Sequence, residues 1–123
     1  MTKAVTILGI YACDLTFLAG RLPVIGETLI GSGFRMGPGG KGSNQVIAAR
    51  RAGASVNFIA KLGNDTFGDQ ARRMYADEGV GTDYLLTTAD YPTGTAFIYV
   101  NDRSAENAII VVPGAAVTSA SLI

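Results

Sequence analysis

A glycine-rich hexapeptide, Gly37-Pro38-Gly39-Gly40-Lys41-Gly42, separates a β-prone stretch from a run of small and aliphatic residues without breakers, Asn44 to Ala52. Glycine adopts backbone conformations closed to other residues and lets a chain come close to a ligand or to another backbone. No other segment restricts the fold as much. Ser43 stands where a helix cap would, and Gly53 fits the left-handed position just past a helix end. The pattern predicts strand, turn and helix, with the turn opening onto the free N–H groups of a helix N-terminus.

Three readings of the turn compete. It satisfies G-x-G-x-x-G, the dinucleotide-binding pattern. That turn normally follows the first strand of its fold, and an acid ends the second strand; here the second strand closes on Lys61. A phosphate loop fares no better, because Arg35 stands where its first glycine belongs and Gly42 follows Lys41 where Ser or Thr should bind magnesium. In the third reading the glycines only permit a tight strand-to-helix crossing, with Lys41 a solvated side chain.

Composition narrows the chemistry. Ten basic and ten acidic residues balance, and no basic run exceeds Arg50-Arg51 or Arg72-Arg73, so no nucleic-acid partner is expected. The lone cysteine, Cys13, excludes an internal disulfide or a cysteine metal cluster, and the chain has no histidine. Chemistry must rest on Asp, Lys, Asn and backbone groups. Lys3 and the apolar stretch Ala4 to Ala12 before Cys13 loosely imitate a lipoprotein signal, but one basic residue and the bulky Tyr11 fit a first buried strand better. No apolar run reaches bilayer length, so the expectation is a soluble, cytoplasmic protein with no membrane partner.

Along the chain, Val5 to Ile10 reads as a central strand covered on both faces. Leu15 to Met36, interrupted by Pro23, Gly26, Gly31 and Gly33, reads as strand and turn. Val56 to Lys61 is a second short buried strand. Phe67, Ala71, Met74 and Tyr75 then fall at helical spacing, with Asp65 or Thr66 as cap and Gly79 as stop. Tyr84 to Thr88, Thr95 to Asn101 and Asn107 to Val112 are again β-prone. The simplest architecture is one α/β unit over residues 1–123 with an extra β flap.

The whole string GPGGKGSNQVIAARRAGASVNFIAKLGND, Gly37 to Asp65, resembles the first signature of the ribokinase-like, or PfkB-type, carbohydrate kinases. Gly9 with Asp14, Pro23 with Gly26-Glu27-Thr28, Phe67-Gly68, Glu78-Gly79-Val80, Thr93-Gly94-Thr95 and Asn101-Asp102 follow in the family's order. The resemblance covers essentially the whole chain, with ribokinase the nearest member. It implies the N-terminal portion of a three-layer α/β sandwich with a β-strand lid, incomplete without a C-terminal half.

In that family the glycine-rich turn binds the sugar, not ATP. By the resemblance, Gly39, Gly40 and Asn44 contact sugar hydroxyls, Lys41 adds positive field near the reacting end, and Asp14 accepts hydrogen bonds from two neighbouring hydroxyls. An amide that both donates and accepts, and a carboxylate that only accepts, suit a diol. Ribokinase has Asn two residues before this Asp, where this chain has Ala12, which puts ribose itself in question. Ala96, Ile98 and Val111 are candidate apolar sugar contacts, and core packing is the competing role for each.

Leu15 to Met36 and Tyr84 to Asn101 resemble the lid, through which such kinases often form homodimers. Asp65-Thr66-Phe67-Gly68-Asp69 imitates the family's Asp-Thr-x-Gly-Ala-Gly-Asp catalytic motif but lacks its second glycine, and is read as a helix cap. The catalytic base and the ATP and Mg2+ sites are therefore expected beyond Ile123. The implied activity is ATP-dependent phosphorylation of a sugar hydroxyl, with this chain supplying the sugar side and inactive alone. The alternative is a non-enzymatic sugar-binding or dimerisation remnant.

Overall fold

The strands divide into two sheets of different character in the computed structural model, which describes residues 4–117. β1 (Ala4–Leu8), β4 (Ser55–Gly63) and β5 (Leu85–Thr88) form a parallel sheet in the order β1-β4-β5. β2 (Ala12–Ala19), β3 (Gly33–Gly39), β6 (Thr95–Asn101) and β7 (Asn107–Val112) form a mixed sheet in the order β3-β2-β6-β7. Two helices, α1 (Lys41–Arg51) and α2 (Thr66–Asp77), connect β3 to β4 and β4 to β5.

β4 organises the core. Its alternate residues Val56, Phe58, Ala60 and Leu62 are fully buried, while Asn57, Ile59 and Lys61 on the other face are only half-buried. Onto the buried side pack Val46 of α1, Ala71 and Tyr75 of α2, Val80, Leu85, Tyr11 and Cys13. Tyr75 meets Phe58 edge to face at a ring separation of 5.3 Å, and Tyr11 at 6.1 Å. Its hydroxyl is hydrogen-bonded to Ser43 Oγ, so the polar tip of a buried ring is satisfied. Burial pushes the Tyr75 phenol up to about 12, so it stays neutral.

Several expectations are revised. Ser43 does not cap α1: Gly40 holds the cap position with no side-chain cap, and Ser43 lies inside the first turn, drawn in by Tyr75. Among the described residues β1 pairs only with β4 and alternates exposed and half-buried residues, so there it is a sheet edge rather than a central strand. Tyr84 to Thr88, grouped by sequence with the flap, contributes β5 to the parallel sheet instead, because Leu85 pairs with Ala60 and is buried in the core. The mixed sheet begins earlier than expected, at Ala12, and takes in β7. As expected, Asp65 caps α2, and Gly53 and Gly79 have φ of 99° and 81° just past the helix ends.

Among the described residues no helix is long and apolar enough to cross a membrane. The mixed sheet carries much of the exposed apolar surface, including Phe34, Met36, Ile109, Ile110, Val111 and Val112.

The burial pattern predicts that Leu62→Ala lowers unfolding free energy by about 2–5 kcal/mol in urea titrations, whereas Ile25→Ala, at a fully exposed side chain, changes it by less than about 0.5 kcal/mol.

Candidate functional site

The chain crosses between the sheets at three points, and the first two touch. After β1 it passes through Gly9 and Ile10 into β2, and after β3 it turns at Gly40 into α1. A Cβ on Gly9 would lie 2.9 Å from the Gly42 Cα, so the two crossings are in backbone contact. Gly40 has φ +97°, and a Cβ there would lie 2.5 Å from the Ile10 carbonyl oxygen. The left-handed conformation and the lack of space both require glycine.

Gly39 is buried opposite Ala12, and a Cβ on it would run into the Asp14 carboxylate. The carboxylate therefore sits directly over the Gly39 α-carbon. It is half-buried and accepts no hydrogen bond from any described residue. Desolvation pushes its pKa above the ordinary aspartate value. A partly desolvated, unpartnered carboxylate is costly in a folded chain unless something else supplies its donors.

Register places the other candidates. Asp14 lies opposite Ala96, and Ala96 opposite Val111, so the three form one row across β2, β6 and β7. Residues directly opposite share a sheet face. Ile98, two residues along β6, lies on the same face in the next row, between Thr16 and Ile109. Ala96 is buried, Ile98 half-buried and Val111 exposed.

Lys41 and Asn44 stand in the first turn of α1. The Asn44 amide nitrogen of the backbone donates to Gly40 O at 3.0 Å, while its side chain is exposed and has no hydrogen-bond partner among the described residues. Lys41 is exposed and makes no ion pair among them. The structure thus brings Asp14 against Gly39, sets the next residue, Gly40, against Ile10, and joins Ala96 and Val111 to Asp14 by register. Sequence reading gave no role to the Gly9–Gly42 contact or to the Ser43–Tyr75 bond under the helix start. The Gly9 that ends an apolar run was the available signal for the first; nothing local signals the second.

The donor set suits hydroxyls better than phosphate or metal. Among the described residues no group of three or more His, Cys, Asp or Glu side chains could hold a metal ion. Gly42 lacks the hydroxyl that a phosphate loop offers to magnesium.

The family model for pfkB family carbohydrate kinases matches residues 2–121. The chain is 41% identical over 112 residues to a ribokinase of Mus musculus, covering 91% of this chain and 34% of that one. It is 39% identical over 115 residues to a ribokinase of Haemophilus influenzae, covering 94% and 37%. Among solved structures, a ribokinase from Giardia lamblia superposes with a TM-score of 0.84 at 37% identity, over 94% of this chain and 37% of that one. Arabidopsis thaliana ribokinase, solved with ribose and ATP, gives 0.85 at 30% identity over the same shares. The chain spans about a third of the length of these relatives. With a family match over residues 2–121 and relatives of 37–41% identity across nine-tenths of its length, the chain belongs to the pfkB family of carbohydrate kinases.

Proposed function

We propose that this chain is the sugar-binding part of an ATP-dependent sugar kinase, and that Asp14, the Gly39-Gly40 turn and Asn44 hold the sugar. The observation that carries this reading is the Asp14 carboxylate, partly desolvated, seated on a glycine and accepting no hydrogen bond from the described residues. A vicinal diol would supply the missing donors, one hydroxyl to each oxygen. Asn44 adds a group that can donate and accept, and the side-chain-free turn lets a hydroxyl approach the backbone. Ala96, Ile98 and Val111 give the sugar's carbon face an apolar wall, and Lys41 contributes positive charge at the helix start.

The mixed sheet is the lid in this reading, excluding water when it closes over the sugar. ATP supplies the phosphoryl group and Mg2+ offsets its charge in the complete kinase. Their sites, and the catalytic base, are assigned to residues outside these 123. Ala12 leaves a small side chain where ribokinase has Asn, so the pocket favours a sugar that makes no polar contact there. The exposed apolar residues of the mixed sheet support a homodimer paired through the lid.

Calorimetric titration with D-ribose, 2-deoxy-D-ribose, D-fructose and a nucleoside tests the reading. One of them binds the wild-type chain, and Asp14→Asn weakens that binding about 10- to 100-fold, the value of about 1.5–3 kcal/mol for a hydrogen bond to a charged group. Failure of every sugar to bind, or full affinity in Asp14→Asn, would overturn it. The same chain shows no ATP-dependent sugar phosphorylation alone; robust turnover would place the catalytic groups inside it.

Acidification reads the same carboxylate. Because desolvation raises the Asp14 pKa, affinity is full above that raised value and starts to fall at a pH above 3.8, the ordinary one, as protonation removes an acceptor. Asp14→Asn flattens the profile over that interval.

Dimerisation is checked by sedimentation. Ile109 and Ile110 point to opposite faces of β7, so the double change Ile109→Lys with Ile110→Lys disrupts pairing through either face and yields a monomer.

A further inference from the structure

We propose that Asp65 is a positioning residue for the sugar site, its carboxylate fixing the root of β6 and, through it, the row that carries Asp14 and Ala96. The idea rests on the sugar-binding reading for its functional consequence, but not for its geometry.

A helix cap needs one acceptor, and Asp65 Oδ1 provides it by accepting from Gly68 N at 2.9 Å. The carboxylate does more. Oδ1 also accepts from Thr93 Oγ1 at 2.6 Å, and Oδ2 from Thr93 N at 2.8 Å. Thr93 Oγ1 in turn accepts from Gly63 N at 2.9 Å, so the end of β4, the start of α2 and the residue two before β6 share one network.

The Thr93 end of the network is buried, Asp65 itself is half-buried, and the whole is closely packed. Thr93 is 2% exposed. A Cβ on Gly63 would collide with Thr93 N and lie 2.8 Å from Asp65 Oδ2, and one on Gly68 would collide with Gly63 O. Desolvation pushes the Asp65 carboxyl up, but the bonds from Thr93 and Gly68 outweigh it and hold it below the usual aspartate range.

From Thr93 the constraint passes straight into the mixed sheet. Gly94 O accepts from Cys13 N at 2.8 Å, and Cys13 then pairs with Thr95 and Asp14 with Ala96. A Cβ on Gly94 would lie 2.9 Å from Tyr11 O and 2.8 Å from Pro113 O, so the roots of β2, β6 and β7 converge on it. Among the described residues no strand of one sheet pairs with a strand of the other. A side-chain tie at this junction therefore adds to the Gly9–Gly42 crossing and to the burial of Tyr11 and Cys13 in setting how the mixed sheet stands on the core.

Amide hydrogen exchange without sugar, followed by sugar titration, tests the tie in four chains. Thr93→Val removes the hydroxyl and leaves the cap of α2; Asp65→Ser keeps a short cap but cannot reach Thr93; Thr93→Ser retains the hydroxyl. We expect Thr93→Val and Asp65→Ser to speed exchange in β2 and β6 about 10-fold, to leave Phe58 and Ala60 in β4 unchanged, and to weaken sugar binding about 10-fold, as loss of a buried bond implies. Thr93→Ser should behave as wild type.

Faster exchange confined to Gly68 through Gln70, or equal acceleration in both sheets, would overturn the proposal, reducing Asp65 to a cap or a general stabiliser. If wild type binds no sugar, the sugar reading fails and the exchange pattern still judges the tie. If Thr93→Val loosens the mixed sheet yet binds sugar with wild-type affinity, the positioning role fails and the sugar reading stands.

Discussion

The contact between the Asp14 carboxylate and the bare α-carbon of Gly39 is the constraint around which the structure is arranged. It depends on the antiparallel register of β2 and β3, in which Asp14 faces Gly37, and any side chain at Gly39 would displace the carboxylate. The next residue, Gly40, must take a left-handed conformation against the Ile10 carbonyl so that α1 can start where it does. A carboxylate, a tight turn and a helix start are thus mutually dependent, and a substitution in one disturbs the others.

The two sheets respond differently to that constraint. The parallel sheet has a conventional core, with β4 burying every second side chain against both helices, and its stability is that of packed Phe58, Leu62, Val46 and Tyr75. The mixed sheet buries Cys13, Ala19, Ala96 and Tyr99 but leaves Phe34, Ile110 and Val112 more than half exposed. Its strands pair well with one another and poorly cover themselves. Edge-on cohesion by backbone bonds, with little burial on either face, suits an element whose apolar surface is completed by something bound to it.

Much of this was legible in the sequence, for identifiable reasons. The glycine-rich turn, the breaker-free helix after it and the left-handed glycines at 53 and 79 are local signals, and each appears where the residues demand it. Thr95 to Asn101 and Asn107 to Val112 were readable as strands because β-branched and aromatic residues crowd them. The sheet to which a strand belongs was not readable. Tyr84 to Thr88 looks like its β-prone neighbours, and only the long-range fit of Leu85 beside Ala60 assigns it to the parallel sheet. Likewise Ser43 has the chemistry of a cap, and its actual partner lies 32 residues away on another helix. The candidate site follows the same division: the Asp14 and Gly39 identities are local, whereas the row joining Asp14, Ala96 and Val111 exists only through strand register.

The Ser43–Tyr75 bond shows how the core reaches the site. Asn44, whose side chain is free to meet a ligand, follows a serine that is wholly buried and tied to the centre of the hydrophobic cluster. A helix start with no side-chain cap would otherwise be its least ordered part, since its first N–H groups lack intrahelical partners. Anchoring the residue beside Asn44 to a buried tyrosine substitutes tertiary packing for the missing cap. The glycine turn can then keep its N–H groups and side-chain-free space uncovered while the helix behind it stays fixed.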